Sequence, residues 1–412
     1  MSTYKISFAF MAILFSISVC GAVTIEEARS KSKWGNNPGI FKSIRQTDQL
    51  SSYRASAAET AVFMNKLTAI ESLFAKHPSM INPRGYNAYG TIRVTEQEDD
   101  ATLSMKTAVP LTGNYVLRVH EFGTGPGGKA AESRIGYPTM VIRLNDFSNL
   151  FDGMRIYTSG FGSDIYYAPR KTGSYRGHTR YNENNDILLM TSSSAPLWIP
   201  VSAEEFITIL IRRTEAARDE DMKELNSKDL SPQDIYRKGK AERLKAFNEA
   251  YAMLKKMNPA EAEKAKKEFE ENEKRYAEEA ATHRESSDEL RATQKKLYDD
   301  RLAALRTELA SLTPAQKKAQ AVFAGESEEH PSGLGSPGDE NARPVVRVNR
   351  NYFNDGRPRT AVRCITVKYN INGQNSPEKF DWTHENSSVE AAVIINLSST
   401  IDWKSIESLL DR

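Results

Sequence analysis

The densest grouping of ligand-capable side chains in this 412-residue chain is Tyr166–Tyr181, YYAPRKTGSYRGHTRY. Tyr166, Tyr167, Tyr175 and Tyr181 interleave there with Arg170, Lys171, Arg176, His178 and Arg180, and no acid interrupts them. Guanidinium forks grip carboxylate or phosphate oxygens, while tyrosine faces stack on sugars or bases. These residue types nominate Tyr166, Tyr167, Arg170, Arg176, His178 and Arg180 as a binding face for an anionic glycan or another envelope polymer. The plain structural alternative is an exposed hairpin whose tyrosines cover a sheet edge.

Other chemistries lack their residues. Gly123–Lys129 has the G-x-x-x-x-G-K spacing of a phosphate loop, but Ala130 stands where Mg²⁺ needs a hydroxyl. Strand-like sequence resumes at Tyr137, so a glycine-rich turn is expected there. Asn182, Asn184 and Asp186 alternate oxygens as a calcium loop does, yet Ile187 replaces the glycine and Ser193 the bidentate Glu. An ordinary polar turn is expected. The six histidines form no H-E-x-x-H pair, and no G-x-S-x-G elbow occurs. Cys364 sits in a strand pattern with no signature of a catalytic thiol. With 54 acidic residues, no catalytic carboxylate pair can be singled out. The residues favour a non-enzymatic protein without cofactor or metal; a hydrolase using carboxylates with His120 or His178 is a third reading.

The elements that would position these groups begin after Met1–Ala22. That stretch has the form of a secretory signal: Lys5, an apolar run Ile6–Val19, then small residues suiting cleavage after Ala22. It implies a secreted or periplasmic protein with no transmembrane segment in the mature chain. Ile17–Gly21 also resembles a lipoprotein cleavage site with a lipid anchor at Cys20, although Val19 is larger than that pattern wants. After cleavage only Cys364 remains, so no intrachain disulfide can form. A net charge of +2 implies no bulk attraction to nucleic acid.

Val23–Leu50 reads as mostly irregular, and Ser51–Ala75 as a helix with Phe63, Leu67, Ile70 and Phe74 on one face. Period-two segments follow: Thr91–Thr95, Tyr115–Phe122, Tyr137–Leu144, Met154–Thr158, Asp164–Tyr167 and Ile187–Met190. Ser202 and Glu205 spell a capping box, with Val201 and Phe206 as a hydrophobic staple, so a helix should start there and dock on the preceding domain. Ser231-Pro232, Asn258-Pro259 and Thr313-Pro314 repeat the start signal. Leu244, Phe247, Tyr251 and Leu254, then Tyr298, Leu302, Leu305, Leu309 and Leu312, keep coiled-coil spacing. Glu270–Asp288 is poorly apolar, and a helical hairpin, broken or solvated near Ser286-Ser287, gives both seams a partner. Another protein chain engaging these seams is the alternative.

The expected fold is α+β: an antiparallel sheet with a packed helix, interrupted by a long charged helical region. The expected divisions are a signal peptide over 1–22, an α+β body over 23–201, a helical hairpin over 202–325 and a linker over 326–342. Residues 343–412 return to the body, with strands at Pro344–Val348, Thr360–Tyr369 and Val389–Leu397 and a closing helix at Asp402–Leu410.

The segment Pro196–Phe206, PLWIPVSAEEF, followed by charged helices, resembles one found in uncharacterised exported bacterial proteins. Asn351-Tyr352-Phe353 and Arg359–Val362 add to that likeness. The resemblance implies no activity. The leading expectation is an extracytoplasmic protein that makes protein contacts through its helical region.

Overall fold

The computed structural model describes residues 23–46, 55–96, 110–133, 137–151, 156, 165–181, 186–227, 232–327, 330–339, 341–353, 356–382 and 388–411. The expected signal sequence with Cys20, and Asn182 and Asn184, lie outside them. So does the strand expected at Met154–Thr158, apart from Ile156.

α1 (Ile25–Lys31) is held by a capping box in which Thr24 and Glu27 exchange hydrogen bonds. β1 (Phe41–Gln46) follows, then α2 (Ala57–Ala75) under the same device from Ser56 and Glu59. After α3 (Pro78–Ile81) come β2 (Tyr86–Glu96), β3 (Leu111–Thr124), β4 (Ala130–Glu132) and β5 (Thr139–Leu144). Shorter strands continue as β6 (Ile165–Tyr167), β7 (Lys171–Tyr175), β8 (His178–Tyr181), β9 (Ile187–Thr191) and β10 (Trp198–Pro200). The helical region comprises α4 (Ala203–Ser227), α5 (Pro232–Met257), α6 (Pro259–Ser311) and α7 (Pro314–Lys318). β11 (Val322–Phe323), β12 (Arg343–Val348), β13 (Cys364–Asn370), α8 (Val389–Thr400) and α9 (Trp403–Glu407) close the chain. The fold is α+β.

The chain divides into two compact units. The first takes Met1–Asp152, Pro169–Leu197 and Asn349–Arg412. Its sheet runs β1-β2-β3-β5-β13-β9-β8-β7, with β4 paired to the end of β3. Every described pairing in it is antiparallel except β1 with β2, which is parallel. α2 lies on one face, burying Phe63, Leu67, Ile70 and Phe74 against Tyr115, Leu117 and Ile142. Each such side chain contributes about 1.5–3 kcal/mol when withdrawn from water. Gly113 admits this approach: a Cβ there would stand 2.7 Å from Leu67 Cδ1 and 3.0 Å from Phe63 Cε1.

Two expectations for this unit are corrected. Within the stretch expected to be mostly irregular, the described residues 23–46 contain α1, behind a T-x-x-E capping box, and β1, an exposed edge strand without alternation. Val389–Leu397 is helix, not strand. α8 is buried on most of its circumference, at Val389, Ala391, Ala392, Val393, Ile394 and Leu397, so its apolar run carries no helical period. Its local mark is Ser388, whose side chain accepts from the Ala391 N–H.

The second unit takes Gly153–Ala168 and Trp198–Val348. β12 is its central strand, antiparallel to β10, β6 and β11. Ser202 Oγ accepts the Glu205 N–H at 3.2 Å, and the Glu205 carboxylate pairs with Arg347 on β12. Phe206, Ile207 and Leu210 are buried with Ile165, Ala321, Val345 and, from α6, Leu305. The start of α4 therefore docks within the second unit, on Ile156 and Ile165 before it as well as on Ala321 and Val345 after it.

α6 runs unbroken for 53 residues through Ser286-Ser287, about 80 Å at the helical rise. The reversal comes at Asn258, which caps α6 with Pro259 at its first position. The carboxy-terminal half of α6 lies antiparallel to α4, through Arg306–Glu215 and Arg218–Asp299. Its amino-terminal half lies antiparallel to α5. Residues 326–342 are not a free linker. Ser332 is fully buried, the Ala324 N–H donates to the Gly333 carbonyl, and the Gly335 N–H donates to the Val322 carbonyl. Composition hides this, because the turns that fold the segment back are built from the same Gly, Ser and Pro that make linkers.

Candidate functional site

The nominated residues fall into both units. Tyr166 and Tyr167 are on β6 in the second unit, where Tyr166 is buried and the Arg343 guanidinium lies 5.0 Å over the Tyr167 ring. Arg170, Arg176, His178 and Arg180 belong to the first, and Arg170 is exposed just before β7. The β7–β8 hairpin turns its cations onto the closing helices. Arg176 donates to the Ser399 carbonyl, the Tyr175 hydroxyl to the Ser398 carbonyl at 2.9 Å, and His178 Nε2 lies 3.6 Å from Glu407. Arg180 is buried between Asp186, at 3.2 Å, and Glu378. The geometry thus sets Arg176 against α8 and His178 against α9, while Arg180 turns to Asp186 and Glu378.

The groups suited to acid–base or covalent work are also engaged in the fold. Cys364 is fully buried, which pushes its thiol far above the ordinary range. Glu121 and Glu390 form the main buried carboxylate cluster of the first unit. Glu121 accepts the Val389 N–H at 2.9 Å, capping α8, and its own N–H donates to Glu390 at 2.9 Å. Burial pushes the Glu390 carboxyl up to about 7 and raises Glu121 as well. His120 Nδ1 lies 3.1 Å from the Ser133 carbonyl. Gly125–Lys129 is a turn closed by a 2.7 Å bond from the Gly125 N–H to the Lys129 carbonyl, as its glycines suggested. Among the described residues no three His, Cys, Asp or Glu side chains converge as metal ligands.

In the second unit, the end of α6, α7 and residues 330–339 line a cleft of about 780 Å³. Its lining carries Glu308 and Asp339, and the Glu308 oxygens accept the Ser332 N–H at 2.9 Å and hydroxyl at 2.7 Å, with His330 Nδ1 at 3.6 Å. This arrangement pins residues 330–339 to α6.

The hairpin of α5 with the first half of α6 is built differently. Phe247 stacks on Phe269 with centroids 4.2 Å apart. The Arg243 fork grips Glu273 at 2.6 and 3.1 Å and lies 5.4 Å and 5.1 Å over the Tyr236 and Tyr276 rings. Those hydrogen bonds hold the Glu273 carboxyl below the usual range. Beside this inner seam α5 carries a second stripe, Ala246, Ala250, Met253 and Met257, at 4-3-4 spacing and exposed throughout. Met253 is 63% and Met257 78% exposed. The spacing was legible in the sequence, but the larger side chains of the inner seam mask it.

No family model, curated protein sequence or solved structure matches the chain. Its function has to be argued from this geometry.

Proposed function

We propose that the protein is an exported, non-enzymatic interaction protein that captures another protein through the α5–α6 hairpin. The observation that carries this reading is the exposed stripe Ala246, Ala250, Met253 and Met257, on a helix pair whose own seam is already filled. Exposed contiguous apolar side chains mark contact surfaces, and methionine adapts its shape to a partner. The small residues Ala246 and Ala250 let a partner helix approach closely beside the two methionines. The form of Met1–Ala22 supports export, and among the described residues no helix is long and apolar enough to cross a membrane. The seam inside the hairpin supports a coiled-coil description of this segment.

The test is Met253→Glu with Met257→Glu in the full chain. Both side chains face water, so thermal stability should stay within about 0.5 kcal/mol of wild type. Partner capture from cells that produce the protein should be lost. Unchanged capture would refute the reading. Loss of self-association in place of a heterologous partner would show that the stripe joins copies of this chain.

A further inference from the structure

The sheet of the first unit has a second face, turned away from α2 and α8, that the hairpin reading does not use. Side chains alternate across a strand, so register fixes which residues share that face. Tyr115, buried under α2, sets the opposite one. Lys42, Tyr89, Arg118 and Thr139 are paired in register across β1, β2, β3 and β5. Two residues along lie Thr91, Val116, Val141 and Lys368. Two further along lie Arg93, Asn114 and Arg143. Five cations thus occupy one face of five adjacent strands, and the acid at that face is Glu132 on β4, paired in register with Phe122.

The charges on this face are only partly compensated. Arg143 pairs with Asp146 at 2.9 Å. Arg118 donates to the Thr91 hydroxyl at 3.2 Å, a neutral partner. Among the described residues no carboxylate lies within ion-pair distance of Lys42, Arg118 or Lys368. At the end of the Arg118 row an aromatic cluster forms, with the His120 ring 5.3 Å from Tyr89 and 4.4 Å from Tyr137. Glu132, which accepts from the Tyr89 hydroxyl and from Asn87, sits at that end.

Spacing distinguishes the polyanion. Lys42 and Arg118 are two strands apart, about 10 Å, and Arg143 and Lys368 about 8 Å. In duplex DNA each strand places a phosphate every ~3.4 Å of helix axis, a denser charge per length than this grid. A chain of sugars bearing a carboxylate on every ring or every second ring has sparser charge and flat apolar ring faces. We propose that this sheet face binds an acidic polysaccharide, with Lys42, Arg118 and Lys368 holding carboxylates and the Tyr89–His120–Tyr137 cluster stacking on sugar rings. The site is independent of the α5–α6 hairpin.

The experiment measures binding of the full chain to polygalacturonate, to neutral dextran and to single-stranded DNA. Wild type should bind polygalacturonate, not dextran, and lose affinity steeply between about 50 and 200 mM salt. Arg118→Glu with Lys368→Glu should weaken binding about tenfold or more, and Arg118→Gln with Lys368→Gln about threefold or more. Lys379→Glu with Lys404→Glu makes the same charge change at exposed positions off this face and should match wild type within about twofold. If the glutamate pair disturbs folding, the glutamine pair decides. No binding to polygalacturonate, equal loss in the control pair, or tighter retention on single-stranded DNA would each overturn the assignment.

Discussion

Glu390, in the first turn of α8, is 7% exposed. Burial is the main cause that pushes its carboxyl up to about 7; the hydrogen bond from the Glu121 N–H works against this and the Glu121 charge with it. The unfolded carboxyl titrates near 4.5, so between about 4.5 and 7 the folded protein keeps a proton that the unfolded chain has released. Stability conferred by that proton falls as pH rises through this window. Glu71 and Glu121, raised for the same reason, add the same sign. Glu390→Gln should therefore raise stability at pH 8 by on the order of 3 kcal/mol and change it little at pH 4.5. Melting curves at the two pH values check this; an equal shift at both would contradict it. None of this was legible in the sequence, where Glu390 is one acid among 54. Arg180 was likewise read as a ligand-gripping cation, because its partner Glu378 is 198 positions away. Asn145 gave no signal at all. Yet it is fully buried at φ 56°, donates to the Leu111 and Ala361 carbonyls at 3.0 and 2.8 Å, and accepts the Arg363 N–H at 2.7 Å.

Elements were most legible where a cap and a period coincide. Asn258 with Pro259 and Thr313 with Gln316 mark their helices as the residues suggest, while α2 starts at Ala57 behind a Ser56–Glu59 cap, inside the expected Ser51–Ala75. Strands with one buried face were visible from alternation, as in β3 and β5. The sequence failed where burial erases the period, in α8, and where an edge strand has none, in β1. It also placed a weak point near Ser286-Ser287, which α6 crosses intact. A stretch poor in apolar residues still holds a helix when Ala, Glu, Lys and Arg dominate it and pairs such as Arg275–Glu279 recur at i,i+4. In the hairpin, the Arg243 guanidinium joins both helices and two tyrosine rings. Arg243→Ala should cost the hairpin about 1 kcal/mol. Hydrogen exchange would show faster opening of α5 and the facing turns of α6, with β3 and β5 unaffected. Uniform loss of protection across both units would count against a locally held hairpin.

On the scale of the whole molecule, the α+β class could be read from composition and period alone. The points where the chain passes between the two units could not. β6 joins the second unit although its neighbours in sequence build the first, because it pairs with β12. A two-residue shift between sheets leaves no trace in alternation. The nominated face at Tyr166–Tyr181 straddles one of these crossings, so residues adjacent in sequence serve separate units. By contrast, the α5–α6 hairpin is continuous in sequence, and its exposed stripe remains exposed in the fold. The central claim is that this stripe receives a protein partner. Its most direct test is a photo-crosslinking residue placed at 253 or 257, and for comparison at the exposed positions 248 or 255 on the opposite side of α5, in the full chain within producing cells. A discrete protein adduct is expected from 253 and 257 and none from 248 and 255. Equal adducts from both sides of the helix, or none from either, would contradict it.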